Sequence, residues 1–123
     1  MNQHTQNDLN QFVDHYMAVW NEADAELRYK SITELWTVDG VQFTQSREIR
    51  GHQALFERIS NNYETFVKAR DFLFRLSGDV VEHHHAVKLT WEMVPANGGE
   101  VAGAGLIFLL LNHDGRVRFD YQF

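Results

Sequence analysis

The sequence predicts an α+β fold, with three helices packed on one face of a strongly curved, mostly antiparallel sheet. Two observations carry this. Apolar side chains recur at helical spacing through the first half of the 123 residues, and extended segments punctuated by turns fill the second half. Helices followed by strands, instead of alternating with them, give segregated layers.

The first helix starts at Asp8, capped by Asn7 or Asp8, and aligns Leu9, Phe12, Val13, Tyr16 and Trp20 on one stripe. The second runs from Asp24 to Trp36 and turns Leu27, Ser31, Leu35 and Trp36 inward. Asp39-Gly40 breaks the chain, and residues 41–44 form a short strand. Gly51 opens a third helix, whose stripe is Leu55, Phe56, Ile59, Tyr63, Phe66 and Val67. Strands follow over 72–76, 80–94, 100–112 and 116–123. Ser77-Gly78-Asp79, Pro95 to Gly99 and His113-Asp114-Gly115 supply the turns, and Asp-Gly is a strong hairpin signal. No linker, repeat or low-complexity stretch interrupts the order, so residues 1–123 read as a single domain.

Composition removes several classes of function. A chain that is 44% hydrophobic and 13% aromatic has a core to bury and is not disordered. Eleven basic against 17 acidic residues give a net charge of −6, a poor match for nucleic acid. Without Cys there is no disulfide, thiolate nucleophile or Cys-based metal site. The apolar run Leu106 to Leu111 is far short of the ~20 residues that span a bilayer, and the polar stretch Met1 to Leu9 has no signal-peptide core. A cytoplasmic protein with no membrane or nucleic-acid partner is expected. Phosphate loops, nucleophile elbows and metal-ligand spacings are missing too, so no cofactor and no metal is expected.

Four segments together resemble one family: YMAVWNEAD from Tyr16, LWTVDGV from Leu35, RGHQAL from Arg50 and NHDGRVRFDYQF from Asn112. In this order they look like the nuclear-transport-factor-2-like superfamily, and within it the SnoaL-like branch. The resemblance implies a cone in which a bent sheet wraps helices around a deep apolar pocket. It spans ketosteroid isomerases, polyketide cyclases, scytalone dehydratase, limonene epoxide hydrolase and non-catalytic proteins, so it implies no single activity.

By that resemblance Tyr16 matches the tyrosine that gives ketosteroid isomerases a hydrogen bond to the developing oxyanion. Read from the residues alone it is a core tyrosine whose hydroxyl finds a partner. The isomerase base would fall at Phe43, which takes no proton, and its protonated acid near Ile107, so that mechanism does not carry over. On the last strand, alternation puts Arg118, Asp120 and Gln122 on one face and Val117, Phe119, Tyr121 and Phe123 on the other. The resemblance to limonene epoxide hydrolase implies that Asp120 points inward, where an apolar surround raises its pKa and suits it to acid or base work. The bland alternative is a structural pair of Asp120 with Arg118.

His83-His84-His85 lacks the further ligand that a metal site needs. His85 is instead placed on a cross-sheet row with Ile107 and Asp120, about 9–10 Å from Asp120, as a proton partner bridged by ligand or water. The alternative is a pair of solvated histidines at a strand start. Trp20, Phe43, Phe56, Ile59, Tyr63 and Trp91 would wall an aromatic cavity with Ile107, Arg118 and Gln122. Leu106, Phe108, Leu110, Phe119, Tyr121 and Phe123 are left on the outer sheet face, which predicts a two-fold homodimer.

The resulting expectation is a small apolar or aromatic ligand, an aromatic or polycyclic metabolite. If the protein is an enzyme, its chemistry would be cofactor-free isomerization, cyclization or dehydration by Asp120, His85 and Tyr16. A ligand carrier or a protein-interaction module of the same fold are the alternatives.

Overall fold

The structure, a computed structural model, describes residues 6–123, so the expectation for Met1 to Leu9 falls partly outside the described residues. Helices α1 (Gln6–Val19), α2 (Ala25–Leu35) and α3 (His52–Asn62) form one layer. A π-helical turn, Tyr63–Lys68, extends α3. Strands β1 (Trp36–Phe43), β2 (Glu48–Arg50), β3 (Phe72–His83), β4 (Ala86–Pro95), β5 (Gly103–Leu111) and β6 (Val117–Gln122) form the other layer. Their order is β2-β1-β6-β5-β4-β3, with β1 and β6 parallel and every other pair antiparallel. The sheet is mixed and open, and no helix among the described residues is long and apolar enough to cross a membrane.

Local chemistry sets the helix ends. Asp24 Oδ1 caps α2 by accepting from the backbone N–H of Glu26 (2.9 Å) and Leu27 (3.1 Å). Gly51 starts α3 at φ 88°, a conformation open to glycine, while its N–H donates to Gly40 O at 2.9 Å. Tyr16, Ile32, Trp36, Leu55, Ile59, Leu89 and Leu109 form the fully buried centre between the layers.

Three expectations shift. Helix α2 is rotated by one residue: Leu27 is 51% exposed, and Arg28 is buried with Ile32 and Leu35. The buried guanidinium is solvated by protein. It donates to Glu22 O through Nε (3.0 Å) and Nη2 (2.7 Å), and to Ser60 Oγ through Nη1 (2.9 Å).

The hairpin turn between β3 and β4 lies at His84-His85 (φ 51° and 64°), not at Ser77 to Asp79. Both histidines take the left-handed conformation that a tight two-residue turn requires. Gly78 also has positive φ (74°), but it serves a bulge in which Gly78, Asp79 and Val80 stand against Leu89 alone.

A second bulge breaks the alternation of β6. Leu110 pairs with Phe119 and Leu111 with Val117, which leaves Arg118 outside the ladder. Val117 and Asp120 are therefore both buried. Arg118 joins the outer side, where it donates to Asp39 O at 2.9 Å and sits over the Phe119 ring at 4.3 Å. It makes no pair with Asp120.

Candidate ligand cavity

A cavity of about 210 Å³ opens between α1, the end of α3 and the inner sheet face. Phe74 is the hub of its aromatic wall. Trp20 (6.5 Å, 64°), Trp91 (5.6 Å, 72°) and Phe66 (6.4 Å, 82°) all meet the Phe74 ring edge-on. Met17, Met93 and Ile107 complete the apolar lining, and Arg58, Asn62 and Gln122 supply its polar groups.

The backbone sets this wall. Trp91 pairs with Gly105 across β4 and β5, and its indole lies over the bare glycine. Asn62 and Phe66 stand on either side of the switch from α-helix to π-helix, the kind of irregularity that re-aims side chains at functional sites.

Behind the polar groups lies a buried network. Tyr16, Gln42 and Asp120 have no exposure. Asp120 Oδ2 accepts from the Tyr16 hydroxyl (2.8 Å) and from Gln42 Nε2 (3.1 Å). Its Oδ1 accepts from Gln122 Nε2 at 2.6 Å, and the same nitrogen also donates to the Tyr16 hydroxyl at 3.1 Å. Gln42 Oε1 in turn accepts from Arg58 Nε. Gln122 and Arg58 thus touch both the cavity and the network, whereas Asp120 and Tyr16 stand one side chain behind the wall.

The electrostatics follow from burial. Desolvation pushes the Asp120 carboxyl above its ordinary value, opposed by the donors Gln122, Gln42 and Tyr16 and by the Arg58 charge. Burial and the adjoining Asp120 hold the Tyr16 phenol well above its usual range, so it stays a neutral donor. Burial lowers Arg58, helped by the nearby Arg47. A guanidinium starts so high that it remains a cation at neutral pH.

Of the residues expected at the site, Trp20, Trp91, Ile107 and Gln122 line the cavity, while Tyr16 and Asp120 lie behind it. The others are elsewhere. His85 is exposed in the β3–β4 turn: the row through Asp120 continues to Leu109 and Val87, and Ile107 pairs with Gln122 and Leu89. The row is displaced by two residues, which keeps Val87 facing inward and carries His85 off the end of the strand. Phe43 stacks on Tyr121 (5.0 Å) and Phe119 (6.3 Å) on the outer face, because its neighbour Gln42 is the inward residue of β1. Phe56 packs edge-on against Tyr29 at 5.4 Å. Ile59 is core, and Tyr63 underlies the Arg28 guanidinium at 4.7 Å. Arg118 is on the outer side, as above.

Sequence reasoning missed Phe74, Arg58, Asn62 and Gln42. A signal existed for two of them. Leu55, Arg58, Ile59 and Asn62 follow one another at i, i+3, i+4 and i+7, so two polar residues share the buried stripe of α3.

Three helices on this open mixed sheet, with an apolar cavity between the layers, make the chain a protein of the nuclear-transport-factor-2-like fold. It is similar to a SnoaL-like family protein from Agrobacterium tumefaciens, proposed to be an isomerase. The two share 22% identity over 93% of this chain and 94% of that one, with a TM-score of 0.83. A proposed polyketide cyclase from Sinorhizobium meliloti is 13% identical over 98% and 100% of the two chains, with a TM-score of 0.70. A de novo designed protein of this fold reaches a TM-score of 0.75 at 12% identity, over 98% of this chain and 87% of that one. No family model and no curated protein matches the sequence. At these identities the likeness establishes the fold, and a fold does not choose an activity.

Proposed function

We propose that the cavity binds a small apolar or aromatic molecule, oriented by polar groups at one end. The supporting observation is the aromatic wall around Phe74 together with Arg58, Asn62 and Gln122 in the same lining. Size refines the ligand. A cavity of about 210 Å³ exceeds the ~150 Å³ that admits benzene and is smaller than the roughly 300 Å³ at which drug-sized pockets begin. One ring with a substituent fits this space better than a fused polycycle. A thermal-shift screen of monocyclic aromatics should give hits, because a ligand at 100 times its Kd adds about 2.7 kcal/mol. Ile107→Trp, which fills the cavity, should abolish them while far-UV circular dichroism stays unchanged. Hits that survive this substitution would place the site elsewhere, and no hits at all would leave the carrier and enzyme readings without support.

A second reading, cofactor-free isomerization, cyclization or dehydration, is favoured by the position of Gln122. Its Nε2 holds both Asp120 and Tyr16, and its side chain faces the cavity. A ligand that displaced this side chain would meet a carboxylate base and a phenol donor together. In this reading Asp120→Asn ends turnover of a bound ligand and leaves binding in place. A ligand that binds without turnover in the parent protein supports the carrier instead. His85, in its exposed turn, has no part in either reading.

A further inference from the structure

The polar end of the cavity is unevenly furnished. Arg58 spends Nε on Gln42, and among the described residues its Nη1 and Nη2 make no hydrogen bond or ion pair. Trp20, also in the wall, keeps its indole N–H buried towards the Tyr16 hydroxyl without an aligned acceptor. Of the two, only the Arg58 nitrogens are open to the cavity, since the Trp20 N–H is sealed against Tyr16. The Arg58 Nη atoms are not sealed in the interior, so a ligand acceptor there would take the place of water.

Charge points the same way. Two cations, Arg58 and the exposed Arg47, stand close enough to repel each other. Asp120 is the anion facing Arg58, and it already accepts from Tyr16, Gln42 and Gln122. Gln42 separates the two ions, accepting from Arg58 and donating to Asp120 Oδ2 at 3.1 Å. The carboxylate therefore does not occupy the guanidinium. With Nε tied, the edge left open is the Nη1–Nη2 pair, whose two parallel N–H groups match the two oxygens of a carboxylate.

We infer that the molecule bound in this cavity is an aromatic carboxylate, its carboxylate forked on Arg58 Nη1 and Nη2 and its ring against Phe74 and Trp91. This rests on the reading of the cavity as a ligand site and adds the chemistry of the ligand's polar end.

Phenylacetate and phenylacetamide, nearly equal in shape and different in charge, are the probes. Calorimetric titration at pH 7 and low salt should show the parent protein preferring the acid by about tenfold or more, the size of one charge-assisted bond. Arg58→Met should bring the ratio of acid to amide affinity to about one, whatever it does to the amide's own affinity. Arg58→Lys, which keeps the charge without the fork, should retain part of it. Equal affinities in the parent protein, or a preference that survives Arg58→Met, would overturn the inference and leave the cavity reading standing. Binding of neither probe would overturn both. If Arg58→Met does not fold, the parent's acid-to-amide ratio and the Arg58→Lys protein decide the matter.

Discussion

The Tyr16 hydroxyl donates to Asp120 Oδ2 at 2.8 Å across 104 residues of chain, and neither side chain is exposed. The bond joins the middle of the first helix to the last strand and crosses the layer interface beside the cavity. It organises the whole polar cluster, because Gln122 bonds both of its members.

That relationship has a pH signature. The folded pKa of Asp120 is raised above the ordinary 3.8, chiefly by desolvation, so the folded protein holds this proton to higher pH than the unfolded chain does. Stability from this group is complete below the unfolded value and is lost as pH rises through the folded one. Urea midpoints measured from about pH 4 to pH 7 should therefore fall in the parent protein relative to Asp120→Asn, which cannot titrate. A difference that stays constant over this range would show that Asp120 is not raised. Tyr16→Phe removes a donor from the carboxylate and should cost about 1–3 kcal/mol at pH 7.

Gly105 holds the cavity wall in place. A Cβ there would stand 2.7 Å from Trp91 Nε1 and 2.8 Å from Cε2, so the indole must move. Gly105→Ala should cost about 1–3 kcal/mol, as overpacking does, and shift the Trp91 fluorescence. It should also weaken any cavity ligand. Unchanged emission and affinity would mean that the ring is not held by this contact.

The His84-His85 turn carries conformational strain. Non-glycine residues at φ 51° and 64° are costly, and an Asn-Gly pair suits the same turn. Replacing both, His84→Asn with His85→Gly, should stabilise the protein by about 1 kcal/mol and leave ligand binding alone. Lost binding would bring His85 back into the site.

We propose a homodimer through the outer sheet face. Phe43, Phe119, Tyr121 and Phe108 form a continuous aromatic strip there, with centroid spacings of 5.0–6.4 Å. Sedimentation equilibrium at micromolar concentration should give twice the 14.4 kDa chain mass, and Tyr121→Glu should halve it. A parent protein that sediments as a monomer ends this proposal.

Much of the architecture was legible because it rests on local rules. Helical periodicity marked α1 through Tyr16 and Trp20, the start of α2 was placed at Asp24, and Asp114-Gly115 announced a hairpin. Alternation also separated Asp120 and Gln122 from Phe119 and Tyr121, and the family resemblance supplied the inward direction of the first pair. Partner choice was decided only in three dimensions. The bulge that omits Arg118 from the ladder separates it from Asp120, and the bulge at Gly78 moves the hairpin turn to two histidines that carry no turn signature. Each slip changes which side chains meet, while the composition of the strand stays the same. Burial of Arg28 in place of Leu27 depends on carbonyls of the α1–α2 connection and on Ser60, far along the chain. So the sequence by itself determined the layers and the supply of aromatic and polar groups. Tertiary structure alone decided that Asp120 is buried behind Gln122, and that Arg58 reaches the cavity with two nitrogens free. Strand register and buried hydrogen bonding are long-range choices, which neighbours along the chain do not encode.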